Sequence, residues 1–371
     1  MQKYKIPLFK VFMDNNVACQ LAETLHSGFI GQGKKVEEFE GILSDYFGTK
    51  KLVTLNSATS GIHLALHMIK NHDKTRNEVI TTPMTCVATN FPILANNLKI
   101  KWADVERKTC NIDLDDVKRK ISSKTLALIV VHWAGNPCNL EKINRLKQYT
   151  KKKFGKELFV IEDCAHALGS FYKQKPLGNS ENFCVFSFQS VKHITCGDGG
   201  VLISPSNKFY EQSRLLRWYG RERTGEFKPK TEIKDWGFKF HMNDIAATIG
   251  IANFRHLSSI VKKNNQNYNW LIKNLKNEKI KVVKENKHCF SSSWIMTIFV
   301  KNRDEFIEAL KLKGIQSSVV HTRNDKYKFL KKYKSKLKNT NYVSKNMCCI
   351  PCGWWLSTED LEHIKNTINN F

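Results

Sequence analysis

The sequence predicts an α/β fold, with a large domain built on a mainly parallel sheet and a smaller α+β domain after it. Three observations predict this. Short apolar runs alternate with helix-period segments through the first two-thirds of the chain. Two of those runs, Leu126 to His132 and Leu158 to Ile161, are almost continuously apolar, as strands covered on both faces are. Near residue 250 the texture changes to a long polar helical stretch followed by shorter alternating elements.

The elements follow in order. An N-terminal arm of about thirty residues leads to Gly31-Gln32-Gly33. Val36, Phe39, Leu43 and Phe47 fall at helical spacing and predict a helix over Val36 to Phe47. Leu52 to Leu55 reads as a strand, running through the small residues Asn56 to Gly61 into a helix over Ile62 to Ile69. Glu78 to Thr81 and Lys99 to Ala103 are strand-like, with a helix after Pro83 between them. After the run at Leu126 come a helix over Glu141 to Tyr149, the run ending in Glu162-Asp163, and strands at Cys184 to Phe188 and Gly200 to Ile203. The second domain reads as a helix from Ile251 to Asn274, a strand from Trp294 to Val300 and a helix from Arg303 to Lys313. A strand from Gly314 to Val320 and a last helix near Glu359 to Asn369 complete it. The division is therefore drawn as 1–250 and 251–371.

Composition narrows the function. A hydrophobic content of 41% excludes a disordered chain. The formal net charge of +26 admits a nucleic-acid or membrane-surface partner. The excess is mostly lysine, however, spread along the chain and mixed with asparagine, and no nucleic-acid motif or block of five like charges accompanies it. We expect no nucleic-acid partner. No run approaches the ~18 apolar residues of a spanning helix, so no membrane role is expected either. Met1 to Lys10 lacks the apolar core of a signal peptide. The eleven cysteines then read as reduced thiols of a cytoplasmic protein. Cys349 and Cys352 form one Cys-x-x-Cys beside Cys348, with no second pair or histidines at zinc spacing, so they read as a buried strand end and no metal is expected.

Three segments carry chemistry. In Phe186 to Gly200 a strand-like run ends in a polar loop with one lysine, Lys192, followed by glycines. A buried lysine is kept partly neutral by desolvation, and only the neutral amine attacks an aldehyde. Asp163 ends a buried strand, at the sheet edge where ligands of α/β proteins bind. It suits a cationic partner such as a protonated pyridine nitrogen, or it caps a helix over Ala165 to Leu168. Ser57 to Gly61 places small hydroxyl residues and free backbone N–H groups at a helix start, which suits a phosphate. Ser187 could add a hydroxyl to the same anion.

Together these segments resemble the DegT/DnrJ/StrS family of nucleotide-sugar aminotransferases, which are pyridoxal-phosphate (PLP) enzymes of fold type I. The resemblance runs over nearly the whole chain. It includes Gly31 to Glu40, Asn56 to Thr59, Pro83 to Thr89, His132 to Pro137, Glu162 to Gly169, Phe186 to Gly200 and Met242 to Ala247. It implies the aspartate aminotransferase-like fold and a homodimer with sites at the subunit interface. Lys192 matches the lysine that carries the cofactor and then moves protons, and Asp163 the partner of the pyridine nitrogen. Thr59, Ser60 and Ser187 match the phosphate ligands. His166 stands where glutamine is more usual, beside the ring and its 3-hydroxyl. Three positions depart from the pattern: Cys86 replaces a stacking aromatic, Lys239 an asparagine that reaches the phosphate from the second subunit, and Asp198 a glutamate.

The activity so implied moves an amino group from L-glutamate to a nucleotide-linked keto-sugar, taken as a 4-keto-6-deoxyhexose, for glycan biosynthesis. A C3-keto-sugar aminotransferase, a sugar dehydratase and a non-catalytic PLP-binding regulator are the alternatives. Arg217, Arg221, Arg223, His321 and Arg323 are candidates for the substrate diphosphate, and Trp294, Trp354 and Trp355 for a sugar or base pocket.

Overall fold

The computed structural model describes residues 4–222 and 233–371. Thirteen strands follow in chain order: β1 (Leu52–Leu55), β2 (Glu78–Thr81), β3 (Lys99–Trp102), β4 (Thr125–Val131), β5 (Phe159–Asp163), β6 (Phe171–Tyr172), β7 (Lys175–Pro176), β8 (Phe183–Ser187), β9 (Gly200–Ile203), β10 (Ile280–Val282), β11 (Cys289–Phe290), β12 (Met296–Val300) and β13 (Met347–Ile350). Seven of them form the main sheet in the order β1-β9-β8-β5-β4-β2-β3. The two continuous apolar runs are β4 and β5 at its centre, buried at every residue. Only β9 runs against its neighbours.

The register sets up everything that follows. Val131 lies opposite Asp163, and Asp163 opposite Val185, so the carboxyl ends of β4, β5 and β8 finish nearly level. Gly200, the first residue of β9, lies opposite both Leu55 and Ser187. A Cβ at Gly200 would come within 2.6 Å of the Ala58 nitrogen and the Ser57 carbonyl carbon. Only glycine lets the turn after β1 lie against this strand.

Helices cover both faces. Lys34–Phe47 buries Val36, Phe39, Leu43 and Phe47 as the spacing predicts, and Gly48 ends it at φ 65°. Ala58–His72 starts four residues earlier than the apolar pattern alone indicates, because the Ser57 side chain caps it by accepting from the Ser60 N–H. The stretch read as one helix from residue 251 is two, Asp244–Phe254 and Leu257–Asn274, separated by a turn at Arg255 and His256. The strand expected over Gly314 to Val320 does not form. That segment makes only single bridges, Ile6 with Ile315 and Ser318 with Cys349. Val320 at its end has φ 59°, which an extended strand does not permit.

The smaller sheet has the order β10-β12-β13 and packs on helices Leu257–Asn274, Arg303–Leu312 and Thr358–Asn369 through a core that includes Leu271, Ile298, Phe306 and Ile364. Cys348, Cys349 and Cys352 are buried along and just past β13. The division at residue 250 stands as a proposal: helix Asp244–Phe254 runs across it, and Ile6 of the N-terminal arm packs into the second core. No helix among the described residues is long and apolar enough to cross a membrane.

An ion pair between buried Arg217 and half-buried Glu40 ties helix Lys34–Phe47 to the sheet. Arg217 Nη1 donates to Glu40 Oε1 and to the Thr54 carbonyl, and the same carboxylate oxygen accepts from the Thr54 N–H at 2.7 Å and its hydroxyl at 2.8 Å. Removing the cation leaves a half-buried carboxylate without its counter-charge. Arg217→Met is therefore expected to lower the unfolding free energy by on the order of 3 kcal/mol, measured by urea titration.

Candidate active site

Strand direction brings the chemistry to one edge. The loops that follow β1, β2, β4, β5 and β8 all leave the carboxyl edge of the sheet, and they carry Ser57 to Gly61, Pro83 to Cys86, His132 to Asn136, Asp163 to His166 and Ser187 to Lys192.

Asp163 closes β5 and is 5% exposed. Its Oδ2 accepts from Thr89 Oγ1 at 2.6 Å, and Thr89 lies 2.9 Å from the Thr85 hydroxyl. Its Oδ1 accepts from the Ala165 N–H at 3.1 Å. No helix follows over Ala165 to Leu168, only turns, so the capping role considered for Asp163 does not arise. Thr89 escaped the sequence reading. Its signal was the spacing Thr85-x-x-x-Thr89 at the start of a helix after Pro83.

The neighbouring residue of β5 points to the other face. Glu162 is fully buried and accepts from Ser180 Oγ at 2.6 Å, Asn182 Nδ2 at 2.8 Å and His132 Nε2 at 3.0 Å. His132 Nδ1 accepts the Cys138 N–H at 2.9 Å, which leaves Nε2 as the protonated nitrogen. Burial pushes the Glu162 carboxyl up, but His132 and the two other donors more than offset it and hold it below the usual range. His132, Glu162 and Cys164 are the one cluster of three potential metal ligands among the described residues. The nitrogen and oxygen atoms are already committed to hydrogen bonds, so the cluster serves as a buried prop beneath Asp163.

Lys192 sits in the loop joining β8 to β9. The loop is closed at its base by Phe188 N–H to Gly199 O and Cys196 N–H to Phe188 O, each 2.9 Å. Lys192 is half-buried. Burial brings its ammonium down to about 8, with Asp163 and then Cys86 pulling the other way. Cys86 is half-buried at the start of helix Val87–Ala95.

The turn after β1 is compact. Ser57 Oγ accepts the Ser60 N–H at 3.1 Å, and Ser60 Oγ donates to Asn56 Oδ1 at 2.7 Å. Ser60 is buried, and Thr59 is exposed on the first turn of the helix. Ser187 is buried on the adjoining loop, its oxygen accepting from the Gln189 N–H at 3.3 Å. Lys239 is exposed, and its carbonyl accepts from Asn56 Nδ2 at 3.4 Å, so its backbone lies beside the turn of its own chain.

The profile of the DegT/DnrJ/EryC1/StrS aminotransferase family matches residues 12–369. The chain belongs to that family. It is similar to AtS13 from Actinomadura melliaura, at 36% identity and TM-score 0.97, with all of both chains covered. It is also similar to the sugar aminotransferase CalS13 from Micromonospora echinospora, at 34% identity and TM-score 0.95 over 98% of this chain and 99% of that one. A UDP-4-amino-4,6-dideoxy-N-acetyl-beta-L-altrosamine transaminase of Campylobacter jejuni is 30% identical over 94% of this chain and 92% of its own.

The protein is a transaminase of the DegT/DnrJ/EryC1/StrS family, and its cofactor is PLP. The residues present fit that group. The turn at Ser57 to Gly61 offers a helix N-terminus, pressed against Gly200 where no Cβ fits. A buried carboxylate, an amine of lowered basicity and the unpartnered Nδ1 of buried His166 face the same edge.

Around Lys192 the aminotransferase places three imidazoles. His166 is stacked on Trp294 at 3.9 Å and 17°, and lies parallel to His321 with 3.5 Å between their Nε2 atoms. His193 Nε2 donates to the Ser292 carbonyl at 3.0 Å. Burial, and the charge of Lys192, push His166 well below its usual value and bring His321 to about 4. For His193, burial also leads and brings it to about 4, the Ser292 carbonyl opposing. All three are neutral at pH 7. His321 is held by a three-residue turn, His321 N–H to Val319 O at 2.7 Å, that forces Val320 to its positive φ.

The cations proposed for a substrate diphosphate fare differently. Arg217 is committed to Glu40. Arg323 is buried and donates to both oxygens of Asp325 and to Asn341. Arg221 lies over the Tyr219 ring at 5.9 Å. Arg223 lies outside the described residues. Trp354 and Trp355 hold the N-terminal arm, Trp354 edge-on to Phe12 and Trp355 Nε1 donating to Pro7 O. Of the three tryptophans named from sequence, Trp294 alone adjoins Lys192.

The lowered basicity of Lys192 has a stability consequence. Between its folded value of about 8 and the ordinary 10.5, the unfolded chain holds the proton and the folded chain does not. Stability therefore rises with pH across that window. In cofactor-free protein the wild type is expected to gain on Lys192→Met as pH goes from 8 to 10.5, read as the difference between their urea midpoints.

Proposed function

We propose that the protein transfers an amino group from L-glutamate to a nucleotide-linked keto-sugar, a 4-keto-6-deoxyhexose, yielding an amino sugar for glycan synthesis. The observation that carries the reading is the meeting of Lys192 and Asp163 at the carboxyl edge of the sheet. The activity of the Campylobacter relative, named as a UDP-4-amino-4,6-dideoxy-N-acetyl-beta-L-altrosamine transaminase, favours a nucleotide sugar and the C4 position. We further propose a homodimer working in the cytoplasm, which suits eleven unpaired cysteines.

When bound, PLP supplies the electron sink on which nitrogen is carried between the two substrates. Asp163 holds the ring nitrogen, its carboxylate aimed by the Thr89 hydroxyl and the Ala165 N–H. Thr59, Ser60 and Ser187, with the N-terminus of helix Ala58–His72, hold the phosphate, and Lys239 adds charge there. His166 and Cys86 would flank the ring. Lys192 Nζ, kept partly neutral by burial, takes the proton from the donor Cα and delivers one to the carbonyl carbon of the acceptor. The neighbouring His193 is no substitute for Lys192, because the group that carries the cofactor must be an amine.

Purified protein with PLP should show a visible absorbance band that moves to the near ultraviolet on adding L-glutamate. Lys192→Ala should lack the band. A wild type without the band overturns the reading. A band that glutamate leaves in place overturns the choice of donor.

A further inference from the structure

The segment Ser291 to Trp294 comes from the second domain and yet grips the lysine loop on both sides of Lys192. Trp294 Nε1 donates to the Val191 carbonyl at 2.8 Å, and the Ser292 carbonyl accepts from His193 at 3.0 Å. The Trp294 N–H in turn donates to Ala134 O at 3.1 Å. Trp294 is 4% exposed and stacks on Phe9, at 4.8 Å and 26°, and on His166. Two hydrogen bonds and two ring contacts therefore fix its position. Lys192 Nζ lies 4.1 Å from its ring centroid. Indole is the best of the aromatic faces for a cation, and the attraction strengthens where water is excluded.

The surroundings leave the ammonium few other partners. The groups that face it are the carboxylate of Asp163, the thiol of Cys86 and the imidazoles of His166 and His321, with His193 next in the chain. The imidazoles are neutral, and Asp163 attracts the ammonium by its charge while its oxygens accept from Thr89 and Ala165.

We propose that Trp294 is a positioning residue of the transaminase, its indole face holding the Lys192 ammonium whenever that amine is free of the cofactor. The proposal rests on Lys192 being the cofactor lysine. A lysine released between the two half-reactions would otherwise sweep a wide arc on its flexible stem. Seated on the indole, it stays beside the carbon to which it must return a proton. The face comes from the second domain, so the lysine is seated only while the two domains are packed together.

The test reads the amine directly, without substrate or turnover. Full-length protein freed of cofactor is labelled competitively with acetic anhydride from pH 6 to 11, and the Lys192 peptide is quantified by mass spectrometry. The wild-type midpoint is expected near 8. Loss of the aromatic face in Trp294→Leu should lower it by between about half a unit and one unit. Trp294→Phe, which keeps a face but loses the Val191 bond, should fall by less. Growth with a fluorinated tryptophan in all eight positions leaves shape and hydrogen bond intact and should also lower the midpoint. An unchanged midpoint in the fluorinated protein overturns the proposal, as does an equal fall in the Phe and Leu variants. Neither result bears on the visible PLP band, so the two readings fail separately.

Discussion

Strands that run the same way leave their carboxyl ends along one edge, and the segments that bear Ser60, Cys86, Asp163, His166 and Lys192 hang from that edge. The constraint is geometric before it is chemical. β4, β5 and β8 are held in register by parallel pairing, so Val131, Asp163 and Val185 stand side by side. The loops that leave them have nowhere else to go. Asp163 need not be steered to Lys192 by a long-range contact of its own, because the sheet has already placed both.

Alternation along β5 then divides labour between two adjacent carboxylates. Asp163 faces the site, where its charge acts on half-buried Lys192. Glu162 faces the opposite side, where three donors surround it and nothing of it is accessible. The same one-residue step separates a group available for chemistry from a group that stiffens the strand. Three of the nine non-glycine residues with positive φ among the described residues, Ala134, Ser293 and Val320, occupy the segments around Trp133, Trp294 and His321. Each is held by hydrogen bonds or packing from more than one element.

What was legible in the sequence is what local pattern encodes. The apolar runs at β4 and β5, the small-residue turn after β1 and the loop bearing Lys192 announce themselves by periodicity and residue type. The break at Arg255 does not, because polar helical residues continue through it. Nor does the irregular course of 314–320, whose β-branched residues suit a strand but whose path is set by the pull of His321 toward Val319. Trp294 was named only as a possible pocket wall, and Arg217 and Arg323 only as free cations. Their partners, Val191, Glu40 and Asp325 with Asn341, become visible once the chain is folded, since two of the three lie far away in sequence. Thr89 and His132 were missed for the same reason, each acquiring its role from a strand it does not belong to.

The reversed strand β9 has a further bearing, on the order in which the protein is made. It stands between β1 and β8, and its first residue, Gly200, is where the turn at Ser57 and the loop of Lys192 meet. Its hairpin with β8 is local, but its pairing with β1 spans roughly 150 residues, a closure that is slow relative to neighbouring contacts. A chain emerging from the ribosome can therefore begin to pair β2 with β3 and β4 with β5 long before it can finish the cradle at Ser57. Until the chain has been made past Ile203, the turn at Ser57 lacks the strand it rests against.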